Sequence, residues 1–124
     1  MGAWGTKVLQ NDNALDEMAD IVNVCTTPQA TKAYTLALLN SWRDENRVLL
    51  GIALVDASVN TATRAIFGQE MNHYKHFLYD IEGLDDLKDK ALKCLDGLTV
   101  DNWVDDCKKE RQELYDGLRM RLED

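Results

Sequence analysis

The stretch from 44 to 60, DENRVLLGIALVDASVN, constrains this chain more than any other. From Val48 to Val59 it is apolar almost without interruption, broken only by Gly51, Asp56 and Ser58. The run does not alternate, and it is longer than a strand usually needs. A membrane-spanning helix takes roughly 20 clean apolar residues, and this run is shorter and carries Asp56. A helix apolar on nearly every side belongs in the middle of a helical domain, where other helices enclose it. The expectation is therefore an all-α fold: a compact bundle of five to six helices around a central apolar helix at about 45–59.

The flanking segments are one-sided, as the covering helices of such a bundle should be. Residues 1–11, MGAWGTKVLQN, have no helical period, and Gly2 and Gly5 flank Trp4. Glycine lets backbone approach a packed surface, so this is expected to be an extended arm whose indole is pinned in the bundle. NDNALDEMADIVNV then starts a helix with Asn11 or Asp12 as cap, its apolar face being Leu15, Met18, Val22 and Cys25. Thr27-Pro28 is a helix start, with threonine as cap and proline in the first turn. The apolar positions Ala30, Ala33, Tyr34, Ala37 and Leu38 recur at helical spacing, widened by Leu36, Leu39 and Trp42. NSWRDEN reads as the turn into the central helix.

Beyond the central helix, Phe67, Met71, Tyr74, Leu78 and Ile81 make a helical stripe weakened by Gly68 and ended by Gly83. Leu87, Ala91, Leu95 and Leu98 face inward from a helix at about 85–95, with Gly97 just past its end. Thr99 or Asp101 caps the last helix, which points Val104, Cys107, Leu114, Leu118 and Leu122 inward. Lys and Arg cluster late in it, where the helix dipole favours cations. No segment alternates, so no sheet is expected. The chain has 124 residues, one proline and seven glycines. That is a single helical domain over 1–124, with little room for linkers and enough length for a real core.

Charge narrows the classes of partner. The formal net charge is −8, and residues 80–124 hold 14 acids against 8 bases. Direct nucleic-acid binding draws on Lys and Arg against phosphate, and anionic membranes likewise attract basic segments, so both run against this balance. A basic protein would be attracted instead. Two acidic sets are the candidate docking faces: Asp12, Asp16 and Asp20, joined by Glu17, and Asp101, Asp105, Asp106 and Glu110. Dipole pairing at helix N-termini and solubility account for part of them. Tyr115, with Tyr74 and Tyr79, is the candidate exposed aromatic anchor, while Trp4 and Trp42 are assigned to the core.

No catalytic set emerges. Nucleophile signatures and glycine-rich phosphate loops are absent, and no cofactor is implied. Asp56 sits deep in the apolar run, where an unpaired carboxylate is expensive. A structural partner is expected for it: Arg64, Arg47 or backbone amides of the N-terminal arm. The sole set of ligand types at helical spacing is Glu70, His73 and His76. Glu-x-x-His is half of a carboxylate-bridged di-iron motif, but the other half is missing. Glu70 and His76 also lie about 120° apart around a helix. The expectation is a solvated face, with metal binding as the alternative. Cys25, Cys94 and Cys107 are an odd number at wide spacing and form no metal or disulfide pattern, so reduced core cysteines are expected. The opening MGAWGT matches the myristoylation pattern, yet one acyl chain anchors weakly and no basic patch supports it. With neither n-region nor h-region, a cytoplasmic protein is expected.

The opening Met1-Gly2-Ala3-Trp4-Gly5-Thr6, followed by Asn11-Asp12-x-Ala14-x-Asp16, resembles a family of small bacterial proteins classed as a domain of unknown function. Other parts are similar: the acidic turn into a long apolar helix (Asp44 to Val59), a Lys-Ala-Leu-x-x-Leu-Asp-Gly segment (Lys90 to Gly97), Trp103, and a Lys/Arg-rich last helix (Lys108 to Leu122). Lys7 departs from a glycine usual in that family, and residues 61–83 differ from its usual connection. Small acidic all-helical proteins of this kind resemble the immunity proteins of bacterial toxin systems, including those of contact-dependent inhibition. The resemblance implies a non-enzymatic antitoxin that neutralises a basic toxin domain, often a nuclease. A regulatory or scaffolding domain with another partner is the remaining reading.

Overall fold

The computed structural model describes residues 20, 21, 23, 27–41, 44–60, 84–98 and 105–123. Among them are four α-helices and no strand: α1 (Pro28–Leu39), α2 (Glu45–Val59), α3 (Lys88–Asp96) and α4 (Asp105–Glu123), with a 3₁₀ turn at Leu84–Leu87 leading into α3. The all-α expectation holds at this level. The expected N-terminal arm, the stripe over 67–81 and the cap of the last helix lie outside the described residues.

Local chemistry sets the helix ends. Thr27 caps α1, its Oγ1 accepting the Ala30 N–H at 3.1 Å. Pro28 follows, where the missing N–H is no loss. Asp44 caps α2 with one carboxylate oxygen that accepts the Asn46 and Arg47 N–H groups at 3.1 and 3.3 Å. Between them the chain reverses through Asn40, whose N–H donates to the Leu36 carbonyl, and Ser41, whose hydroxyl donates to the Ala37 carbonyl at 2.9 Å. These bonds satisfy carbonyls that the end of α1 leaves without an internal donor.

α2 is the centre of the molecule. All ten residues from Val48 to Ala57 are buried. Leu38 and Leu39 of α1, Leu84 and Leu87 of the 3₁₀ turn, Ala91, Cys94 and Leu95 of α3, and Leu118 and Leu122 of α4 join it in one core. Ile21, a helical residue, is also fully buried, whereas Asp20 and Asn23 are exposed. The expected inward face of that segment, Leu15, Met18, Val22 and Cys25, omits Ile21.

α1 is rotated from the expected face. Thr31, Thr35, Leu38 and Leu39 are buried, while Ala33, Leu36 and Ala37 are exposed. The threonines can face inward because each hydroxyl donates back to a carbonyl four residues earlier, Thr31 to Thr27 at 2.9 Å and Thr35 to Thr31 at 2.8 Å. This satisfies the polar atom within the helix and leaves the methyl for packing. The helices then meet closely at Gly51. A Cβ there would lie 3.1 Å from both Leu38 Cβ and Leu39 Cδ2.

Gly97 differs. It follows α3 as expected, but with φ −84° it has an ordinary right-handed conformation. Glycine's freedom is not required there. Gly51→Ala gains about 1 kcal/mol of helix propensity, but it presses on Leu38 Cβ, which moves only with its helix, and overpacking costs about 1–3 kcal/mol. Gly51→Ala should therefore lower stability in urea denaturation. Gly97→Ala should leave it unchanged or raise it by about 0.5 kcal/mol.

Candidate functional site

α4 crosses the bundle with a stripe that the apolar pattern alone does not reveal. Arg111, Tyr115, Leu118 and Leu122 are its buried residues, at steps of 4, 3 and 4, with Leu114 partly buried beside them. Arg111 retains 1% exposure and Tyr115 4%. The Arg111 Nε donates to the Tyr115 hydroxyl at 3.0 Å, and that hydroxyl donates to the Glu45 carboxylate in the first turn of α2 at 3.3 Å. The guanidinium carbon of Arg111 sits 5.3 Å from the Tyr115 ring centre, within cation–π reach. Burial pushes the Tyr115 hydroxyl up from its ordinary range, and the neighbouring Glu45 adds to this while Arg111 opposes it. Tyr115 is thus a core residue that ties α4 to α2. This corrects its assignment as an exposed anchor. A lone Tyr among charged residues reads as amphipathic surface; the Arg four residues before it is what supplies its buried polar partner.

The second tie involves Asp56. Its side chain is completely buried, and its Oδ2 accepts the Arg121 Nε–H at 2.9 Å. An arginine partner was expected, and the structure supplies one at the far end of the chain; Arg64 and the N-terminal arm, also expected, lie outside the described residues. The guanidinium reaches Asp56 by lying back over the preceding turn, where Gly117 has no side chain. A Cβ at Gly117 would stand 3.1 Å from an Arg121 terminal nitrogen. In sequence Arg121 looks like an ordinary cation at a helix C-terminus. The pairing with a carboxylate 65 residues earlier leaves no local trace.

The acidic residues fall into two groups. Asp20 and Glu110 are exposed, and Asp105 and Asp106 open α4. Asp12, Asp16, Glu17 and Asp101 lie outside the described residues. Exposed carboxylates that the sequence reading did not single out are Asp85, Asp86, Asp89 and Asp96 along the 3₁₀ turn and α3, and Glu113, Asp116 and Glu123 on α4. Several are engaged within the fold. Asp86 accepts from Lys32 at 2.7 Å, Asp96 and Glu123 pair with Arg119, and Asp116 accepts from Gln112. Such exposed pairs contribute little to stability, because water and salt screen them. They fasten the edges of the bundle and lower the charge left for a partner. Met120, at 66% exposure, is the largest apolar surface on the outer side of α4.

Among the described residues no group of His, Cys, Asp and Glu is arranged to hold a metal ion. Glu70, His73 and His76, like Tyr74, Tyr79, Trp4, Trp42 and Cys25, lie outside them. Cys94 and Cys107 are free thiols. Cys94 is buried, its Sγ donating to the Leu39 carbonyl at 3.3 Å, and burial raises its pKa, which makes it a packing residue and a poor nucleophile. No described helix is long and apolar enough to cross a membrane. No family model, curated protein or solved structure matches the chain.

Two outcomes check this geometry. Arg121→Met removes a cationic partner of the buried Asp56 carboxylate and should destabilise, by up to about 3 kcal/mol, whereas Asp56→Leu combined with Arg121→Met should recover most of the loss, because a buried ion pair contributes little net stability over an apolar pair. Urea denaturation of the cycle gives the coupling. The second outcome concerns Asp86, whose carboxyl Lys32 holds below its ordinary range, first by hydrogen bond and then by charge. A folded value below the unfolded one stabilises above the unfolded range and is lost as pH falls through the folded value. Lys32→Met should return the Asp86 titration, followed by carboxyl NMR, toward about 3.9.

Proposed function

We propose that this chain is an immunity protein: a non-enzymatic antitoxin that binds a basic toxin domain, of the nuclease kind, and blocks it by covering its active site or the adjacent surface. The observation that carries the reading is the row of exposed carboxylates along α4, Glu110, Glu113, Asp116 and Glu123, in a chain of net charge −8. Like-signed fields of this kind speed the encounter with a cationic partner and reject anionic ones. Affinity then needs apolar contact at the centre of the acidic surface. With Tyr115 committed to the core, Met120 is the α4 side chain placed for it. Its flexible thioether adapts to irregular surfaces.

The test is capture of partners from the native host on the immobilised protein, followed by a salt step and mass spectrometry. A basic toxin fragment should elute with salt, and co-expression of this chain should protect cells from it. The double variant Glu113→Lys, Asp116→Lys should slow association by about tenfold at low salt, with less effect at high salt. Absence of any basic protein in the eluate, or capture without protection, overturns the reading.

A further inference from the structure

We propose that α4 is a strap that opens from the bundle as a unit while α1, α2 and α3 stay packed. The proposal is independent of the partner's identity and rests on what joins each element to the central helix. α1, the 3₁₀ turn and α3 meet α2 through Leu38, Leu39, Leu84, Leu87, Ala91 and Leu95, and α1 approaches to backbone distance at Gly51. Separating these surfaces exposes apolar area whose loss of burial nothing in water offsets. The described side-chain bonds between α4 and α2 are of another kind. Arg121 bonds Asp56 near one end of α2, and Tyr115, backed by Arg111, bonds Glu45 at the other.

Opening exchanges these contacts for water. The four charged groups, Glu45, Asp56, Arg111 and Arg121, regain hydration that folding took from them, so the net loss is small. What opposes opening is the burial of Tyr115, Leu118 and Leu122, with help from Leu114 and from the exposed Arg119–Asp96 pair to α3. The opposite side of α4 is already in water: Lys109, Gln112, Glu113, Asp116, Met120 and Glu123 are exposed. Of the described helices, α4 therefore has the contact surface whose separation is most nearly balanced by hydration.

Native-state amide hydrogen exchange on the full chain tests this. In the regime where rates report opening equilibria, α4 amides from Arg111 to Leu122 should exchange at least about tenfold faster than α2 amides from Leu49 to Val55, with a shallower dependence on denaturant. Leu38→Ala discriminates further. Its lost contact belongs to the part that stays folded, so α2 exchange should accelerate while α4 exchange stays the same. Arg121→Met weakens closure itself and should accelerate both sets equally. If α4 and α2 amides of the unaltered chain merge into one isotherm, or if Leu38→Ala accelerates both alike, the strap does not exist and α4 unfolds only with the whole bundle. Should Leu38→Ala not fold, the denaturant dependence of the unaltered chain decides alone.

Discussion

A helix buried on every side has no face left for water, and this dictates most of what surrounds α2. Ten consecutive buried residues must be enclosed by other elements, each contributing an apolar stripe of its own. The same enclosure fixes the terms for the one carboxylate inside it. Asp56 is stable in that setting only with polar partners brought to it, and α4 supplies a cation, Arg121. The composition of the last helix follows from this. Arg121 is placed to reach inward, and Gly117 accepts the helix penalty of glycine so that the guanidinium can lie across the turn below.

The central helix, the turn that leads into it, the start of α1 at Thr27-Pro28 and the inward Leu87, Ala91 and Leu95 of α3 were all legible in the sequence. Each is a local pattern, a cap or a periodic run that involves residues a few positions apart. Faces were less legible where small residues occur in bulk. On α1 the alanines and Leu36 look like the inner stripe by hydrophobicity, yet the threonines occupy it. Hydrophobicity scales treat threonine as polar, but in a helix its hydroxyl is satisfied by the carbonyl of residue i−4, and what remains to be packed is a methyl group. Further along the same helix, Leu38 and Leu39 close onto Gly51. The decision lies in shape between two helices and is invisible to a pattern read along one.

The candidate site divides in the same way. An excess of acid is a global property, and it was legible. Which carboxylates stay exposed to solvent is a matter of pairing, and pairing is long-range: Asp86 meets Lys32 and Asp96 meets Arg119 across helices. Tyr115 illustrates the harder case. Phenols are equally at home at an interface and in a core, because the ring is apolar and the hydroxyl needs one partner. What decides is whether a buried partner exists. Here there are two, Glu45 and Arg111, and one of them is an arginine that sequence reading assigns to the surface by default.

Polar ties between α4 and α2 also answer a problem that apolar packing leaves open. Leu114, Leu118 and Leu122 repeat at intervals of four, so sliding the helix by one turn would still bring leucines onto two of the three leucine positions. Arg121 and Tyr115 have no such equivalents. A one-turn shift that brings Gly117 to the place of Arg121 would break the Arg121–Asp56 pair and separate Tyr115 from Glu45. The register of α4 is thus set by groups that add little to its affinity for the bundle. That is the trade expected when buried polar pairs are retained for specificity.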